Sequence, residues 1–242
     1  MVLDRLSALF RQVSFQVLED SKADMPRLRV MPDNDDILVS FCRTTAPERD
    51  SGCDVSLDFG SKDNPLLLAL PKELHVAFRP ADAGYPVAQL IVQETTQARC
   101  GSPAVLNRMF EVLLILLLRR VIESGQEMTG LLAGLADSHV KYALVAVHES
   151  PGDNWSTEKL AELSHLSRTA FYQRFNKCMG VAPMQYVRRW RLSLAKSKLA
   201  QGERINKVAL SLGYQSTEGF SRAFHKHFQQ WPGEIQKVET LN

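Results

Sequence analysis

Cysteine is scarce in this chain: four in 242 residues, at positions 42, 53, 100 and 178, with no CxxC pair among them. That spacing offers neither a zinc knuckle nor the dense framework of a small disulfide-stapled domain. Long apolar runs are missing too. The longest, Val112–Leu118, is far short of the roughly 20 residues that cross a bilayer, so a buried core helix is expected there. The first residues, Met1-Val-Leu-Asp-Arg5, lack the basic and apolar regions of a secretory signal. These absences lead to the expectation of a cytoplasmic protein in a reducing compartment, with no membrane partner.

What is present is unevenly distributed. An apolar share of 45% and a charged share of 23% fit a globular chain, long enough for two modest domains. The formal charge of +2 hides a split: residues 1–149 carry 15 Lys and Arg against 20 Asp and Glu, a net of −5, whereas residues 150–242 carry 14 against 7, a net of +7. An acidic half is thus joined to a half suited to a polyanion.

Residues 1–100 read mostly as short strands: Ser14–Glu19, Ile37–Cys42, Val55–Phe59, Leu66–Leu70, Leu74–Phe78 and Val87–Val92. Turn-forming clusters such as Pro32-Asp-Asn-Asp-Asp36 separate them, which suggests a barrel or sandwich. Helical spacing takes over at Ala104–Glu123, with two further helices expected near Thr129–Ala136 and Asp137–His148. Ser150-Pro-Gly-Asp-Asn154 reads as a linker between domains 1–149 and 155–242.

Beyond it the chain reads as helical and repeats itself. Phe171-Tyr-Gln-Arg-Phe175 followed by Pro183 returns 49 residues later as Phe220-Ser-Arg-Ala-Phe224 followed by Pro232. Each copy follows a short helix pattern, a turn, and a Ser placed to cap the second helix: Ser167 and Ser216. Phe pairs four apart share one face, which must be the buried one. The opposite face then holds Arg168, Thr169, Tyr172 and Gln173 in the first copy, and Thr217, Glu218, Ser221 and Arg222 in the second. Such side chains suit hydrogen bonding to base edges in a major groove. The helix from Pro183 to about Ala200, roughly 27 Å long, could hold two such units about one DNA turn apart. Arg188, Arg189, Arg191, Lys196 and Lys226 are candidates for phosphate contacts. Tyr186 and Trp190 read as core.

The segment from Trp155-Ser-Thr-Glu-Lys-Leu-Ala-Glu-Leu163 through Gly213-Tyr-Gln-Ser216 to Phe224-His-Lys-His-Phe228 and Pro232 resembles the AraC/XylS class of bacterial transcription regulators. The resemblance implies a tandem helix-turn-helix domain that binds double-stranded DNA, with RNA polymerase as a partner, in a regulator read as an activator. One departure is the stretch Gln229-Gln-Trp231-Pro232, where the family commonly has Gly before the Pro and an aromatic after it. The N-terminal half resembles the cupin-type sensor domain of one branch of the family, most clearly over Ala104–Arg120 and Leu132–Leu144. The expected fold class is therefore α+β: a cupin-like β-barrel followed by helices, then an all-α domain.

Metal-binding cupins carry a His-x-His pair, whereas Leu70-Pro-Lys-Glu-Leu-His75 offers a single His. No metal or other cofactor is expected, which argues against a cupin oxygenase or isomerase. A DNA-repair methyltransferase would need a cluster of zinc cysteines. His75 reads as a hydrogen-bonding residue at the barrel rim. Cys42 and Cys53 are candidate redox or effector residues only if the fold brings them together; otherwise they read as inert. The apolar face of Ala104–Glu123 is a candidate surface for a homodimer.

Overall fold

The computed structural model describes residues 3–12, 15–18, 25–43, 52–60, 64–97, 99–124 and 129–239. Five strands and twelve helices occur among them. The chain gathers into two compact units. One comprises Ser14–Gly60 and Leu70–Gln126; the other comprises Met1–Val13, Ser61–Ala69 and Glu127–Asn242.

The first unit is built on an antiparallel sheet of β1 (Gln16–Leu18), β2 (Arg27–Asp33), β3 (Asp36–Cys42), β4 (Cys53–Asp58) and β5 (Glu73–Phe78), in the order β1-β4-β2-β3-β5. Alternation sends Leu28, Val30, Val39, Phe41, Val55 and Leu57 to one buried face. The other face is mixed, with Met31, Leu38 and Ala77 beside polar residues. Arg29 stands opposite Asp54, and both Arg27 Nη1 and Arg29 Nη2 lie 3.1 Å from Asp54 Oδ2. A helix over Tyr85–Thr96, labelled α3 in chain order, packs on the sheet, and α4 (Ser102–Ser124) packs along α3 and against β1. Among the described residues the sheet is open, with β1 and β5 as its edges.

Two expected strands of this half are helices, and one strand was not expected. Val87–Val92 lies within helix α3, which buries Ala88, Ile91 and Glu94 at three-residue intervals. A six-residue window rich in Val and Ile is too short to reveal that period. Leu66–Leu70 is not a strand either: α2 spans Pro65–Ala69, and Asn64 Oδ1 accepts from the Leu66 N–H at 2.9 Å. Strand β2 gives no strand signal in the sequence because Arg27 and Arg29 interrupt its apolar run; their charges are matched across the sheet by Asp54. Of the expected strand Ser14–Glu19, residues 14 and 19 lie outside the described residues.

The second unit contains α1 (Ser7–Gln12), α2, α5 (Leu131–Ala136), α6 (Val140–Glu149), α7 (Thr157–Leu163), α8 (Arg168–Met179), α9 (Pro183–Ala200), α10 (Ile205–Ser211), α11 (Thr217–Phe228) and α12 (Pro232–Glu239). From 131 to 239 every regular element is a helix. α5 and α6 pack with α7 and α8, and α1 packs on α6. Ser150–Asn154, expected as a linker, is a packed turn. Arg191 Nε donates to the Pro151 carbonyl and Nη2 to the Asp153 carbonyl, both at 2.6 Å. Gly152 sits so close to the turn after α10 that a Cβ there would strike the Ser211 carbonyl. A Cβ on Gly213, at φ +77°, would strike the Gly152 carbonyl in return.

Buried aromatic groups tie α6 to α9. The His148 ring is fully buried, shares a 2.6 Å hydrogen bond between Nε2 and the Tyr186 hydroxyl, and lies 4.3 Å from the Trp190 ring centre. Burial holds the imidazole neutral, taking its pKa from 6.5 down to about 3, and pushes the Tyr186 hydroxyl up.

Two measurements check this packing. Gly213→Ala is expected to destabilise the protein by about 1–3 kcal/mol in thermal unfolding, since it combines left-handed strain with a backbone clash. His148 binds a proton when unfolded but not when folded, so it makes stability fall as pH drops below 6.5. Between pH 7 and pH 5 its share of that loss is about 2 kcal/mol. Chemical unfolding of His148→Gln across the same range is expected to show a correspondingly flatter pH dependence.

Candidate nucleic-acid interface

Each helix-turn-helix is set by a capping serine and a tight turn. In the first, Ser156 Oγ caps α7 by accepting from the Lys159 N–H at 3.3 Å. The turn then passes through His165 at φ +54°, closing with Leu166 N–H to the Ala161 carbonyl at 3.0 Å. Ser167 Oγ accepts from the Ala170 N–H at 3.3 Å and starts α8. In the second, Tyr214 N–H closes on the Ala209 carbonyl at 3.0 Å, and Ser216 Oγ accepts from the Gly219 N–H at 3.0 Å to start α11. The second turn is one residue longer, and the extra residue falls between the closing hydrogen bond and the cap. Both second helices end in the left-handed region, at Gly180 with φ +69° and at Gln229 with φ +57°. The departure at Gln229 therefore keeps the backbone geometry of the first copy, using a residue that enters that region at some strain.

Phe171, Phe175, Phe220 and Phe224 are all buried, with ring centres 5.4 Å apart within the first pair and 5.7 Å within the second. Between the two units runs α9, whose Val187, Trp190, Leu192, Leu194, Ala195 and Leu199 are buried. Burial of the Phe pairs leaves Arg168, Thr169, Tyr172 and Gln173 exposed on α8. On α11 Glu218 and Arg222 are exposed, while Thr217 and Ser221 are half-buried. Arg168 Nε lies 2.8 Å from Glu158 Oε1, an ion pair across the helices of the first unit.

The basic residues separate into two groups. Arg188, Arg189 and Lys226 are exposed. Arg191 is half-buried and committed to the carbonyls of the 151–153 turn, so it acts as a strut there rather than as the free phosphate contact expected from sequence. Lys196 is half-buried and places its ammonium 4.7 Å from the centre of the Phe228 ring, a cation–π arrangement.

Sequence reasoning missed the contacts between this region and the preceding helices. Arg174, on the flank of α8, places Nε 2.9 Å from both carboxylate oxygens of Asp137, whose Oδ1 accepts from the Val140 N–H at the start of α6. Burial opposes the Asp137 charge, yet its carboxyl is held below the usual range by the Val140 and His139 N–H groups and by Arg174. A turn signal was present, since an Asp side chain readily accepts from the backbone N–H groups two and three residues on, as Asp137 does from His139 and Val140. Its partner 37 residues on was not visible in sequence.

The candidate effector residues do not converge. Cys42 stands opposite Arg27 and Cys53 opposite Val30, on either side of β2. They therefore lie two strands apart and on opposite faces of the sheet, at least about 10 Å from each other. Burial pushes both thiols up, away from a reactive thiolate. The condition on which their redox role depended is not met. His75, on edge strand β5, places Nδ1 2.9 Å from Ser40 Oγ. Among the described residues no three His, Cys, Asp or Glu side chains gather in a way that could hold a metal ion. No helix there is long and apolar enough to cross a membrane.

Comparison with known proteins bears on both halves. Residues 8–123 match the cupin family, and residues 160–237 match the family described as a helix-turn-helix domain. An HTH-type transcriptional regulator of Haemophilus influenzae is 31% identical over 181 residues, covering 74% of this chain and 60% of that protein. A protein of Streptomyces lividans named as an AraC-like transcription regulator is 32% identical over 191 residues, covering 76% of this chain and 62% of that protein. The chain thus spans about three-fifths of the length of these relatives. A crystal structure of an AraC-type transcriptional regulator from Chromobacterium violaceum is 26% identical, with a TM-score of 0.38, covering 40% of this chain and 87% of that one. With a cupin domain ahead of its two helix-turn-helix units, the chain belongs to the AraC/XylS family.

Proposed function

We propose that the protein is a sequence-specific transcription regulator whose helices α8 and α11 enter successive major grooves of double-stranded DNA. The observation that carries this reading is the pair of capped helices that bury equivalent Phe residues and turn unlike polar faces outward. Thr169, Tyr172 and Gln173, with Arg168 beside them, read one segment; Glu218, Ser221 and Arg222, with Thr217, read the other. Arg188, Arg189 and Lys226 supply affinity through phosphates, and their contribution is sensitive to salt.

The unit built on the five-stranded sheet, one wall of a cupin barrel, forms the regulatory part, and the helix-turn-helix units within 155–242, with α5 and α6 packed on the first of them, form the DNA-binding part. A small-molecule signal received by the cupin domain shifts the population of DNA-competent chains. Activation through RNA polymerase is the expected output. A second copy is placed on the exposed apolar side chains Leu90, Val105 and Val112 of α3 and α4, where Val105, Met109, Val112 and Leu116 recur at heptad-like spacing.

Selection of duplexes from a random pool tests the reading. The full chain is expected to enrich a site with two conserved blocks. Arg222→Ala is expected to relax preference at one base position in one block, at about 1–3 kcal/mol, whereas Lys226→Ala weakens binding evenly and lowers the salt slope by about one. Equal loss on selected and random duplexes for Arg222→Ala would sink its assigned role.

A further inference from the structure

The segment that precedes the helix-turn-helix fold grips its first unit at several points. Asp137 Oδ1 accepts from the N–H groups of His139 and Val140, both at 2.9 Å, which fixes the carboxylate at the start of α6. That carboxylate is only 12% exposed, and Arg174 of α8 places Nε 2.9 Å from both of its oxygens. Arg174 Nη2 adds a 3.1 Å bond to Ser138 Oγ. Two further ties flank this one. Gly130 N–H donates to the Cys178 carbonyl of α8 at 2.9 Å, and His139 Nδ1 lies 2.9 Å from the Ser164 carbonyl, at the turn after α7. Both helices of the first unit are thus held from outside that unit.

Among the described residues α11 makes no ion pair equivalent to Arg174–Asp137. The position 49 residues after Arg174 is Ala223, buried on α11. Arg174 therefore marks a difference between copies whose Phe and Ser positions match. On α8 it lies to the side of Thr169, Tyr172 and Gln173, so it can aim that face without reading bases itself.

We infer that Asp137 is a positioning residue for the first recognition helix: through Arg174 it sets the angle at which α8 presents Thr169, Tyr172 and Gln173 to DNA. The inference rests on the proposal that α8 reads DNA. The grip acts on one recognition helix alone, so the two base segments respond differently when it is loosened. It also puts control of α8 in residues 130–139, ahead of the segment 160–237 that matches the helix-turn-helix family.

The test is a double-mutant cycle on the full chain, using the duplex that the wild-type chain enriches from a random pool. Asp137→Asn keeps an amide oxygen for the His139 and Val140 N–H groups but removes the charge that holds Arg174. Asp137→Asn and Arg174→Ala are each expected to weaken binding about tenfold, and the double variant no further than either single. Base preference is expected to blur in the block read by α8 and to stay sharp in the block read by α11. Arg174→Lys, which keeps the charge but not the guanidinium geometry, is expected to show the same confined blur and serves if Asp137→Asn fails to fold by circular dichroism. Losses that multiply in the double variant would overturn the inference. So would blurring of both blocks, or tighter binding by Asp137→Asn, the mark of an Arg174 freed to reach phosphate. If the wild-type chain enriches no sequence, the DNA-reading proposal falls and the inference with it; enrichment with an unaffected Asp137→Asn overturns the inference alone.

Discussion

Two phenylalanines four residues apart on a helix leave that helix little choice about which way it faces. Phe171 and Phe175 on α8, and Phe220 and Phe224 on α11, are buried, and each ring contributes about 1.5–3 kcal/mol by leaving water. A rotation that exposed one pair would forfeit several kcal/mol, comparable to the whole stability of many domains. The residues a third of a turn or more away are consequently fixed outward. The exposed position of Thr169, Gln173, Glu218 and Arg222 follows from the rings behind them. The serine caps, the left-handed ends at Gly180 and Gln229, and the apolar flank of α9 all serve the same orientation.

The two units share this constraint but differ in what supports them. The second is locked by backbone proximity, with Gly152 and Gly213 in mutual contact and Arg191 pinning the 151–153 carbonyls. The first is held by the residues around Asp137 and by the buried His148–Tyr186–Trp190 group at the junction of α6 and α9. The bond to the Tyr186 hydroxyl satisfies one nitrogen of the neutral buried imidazole, and the Trp190 ring packs against its face. One consequence is architectural: α5 and α6 pack as part of the DNA-binding unit, although sequence alone assigns them to the regulatory half.

Local chemistry was legible in the sequence and tertiary choice was not. Ser167 and Ser216 cap the helices they were expected to cap, and Gly213 has the positive φ its turn demands. Trp190 is core, as its spacing implied. The failures have identifiable causes. Leu66–Leu70 and Val87–Val92 are short apolar runs, for which strand and helix patterns coincide. Strand β2 hid because its arginines are neutralised by Asp54, a residue 25 to 27 positions away. Arg191 carries the charge of a phosphate ligand but is hydrogen-bonded to the carbonyls of the 151–153 turn, and composition cannot report such partners. The same holds for Asp137 and Arg174, each unremarkable until the fold joins them.

Two units folded alike are proposed to read two unlike DNA segments, which base-by-base interference mapping in the major groove of a selected duplex can test. Two clusters of interfering purines are expected, separated by about one helical turn of 10 base pairs, on one face and with unrelated sequences. A single cluster, or two clusters of the same sequence, would contradict this reading.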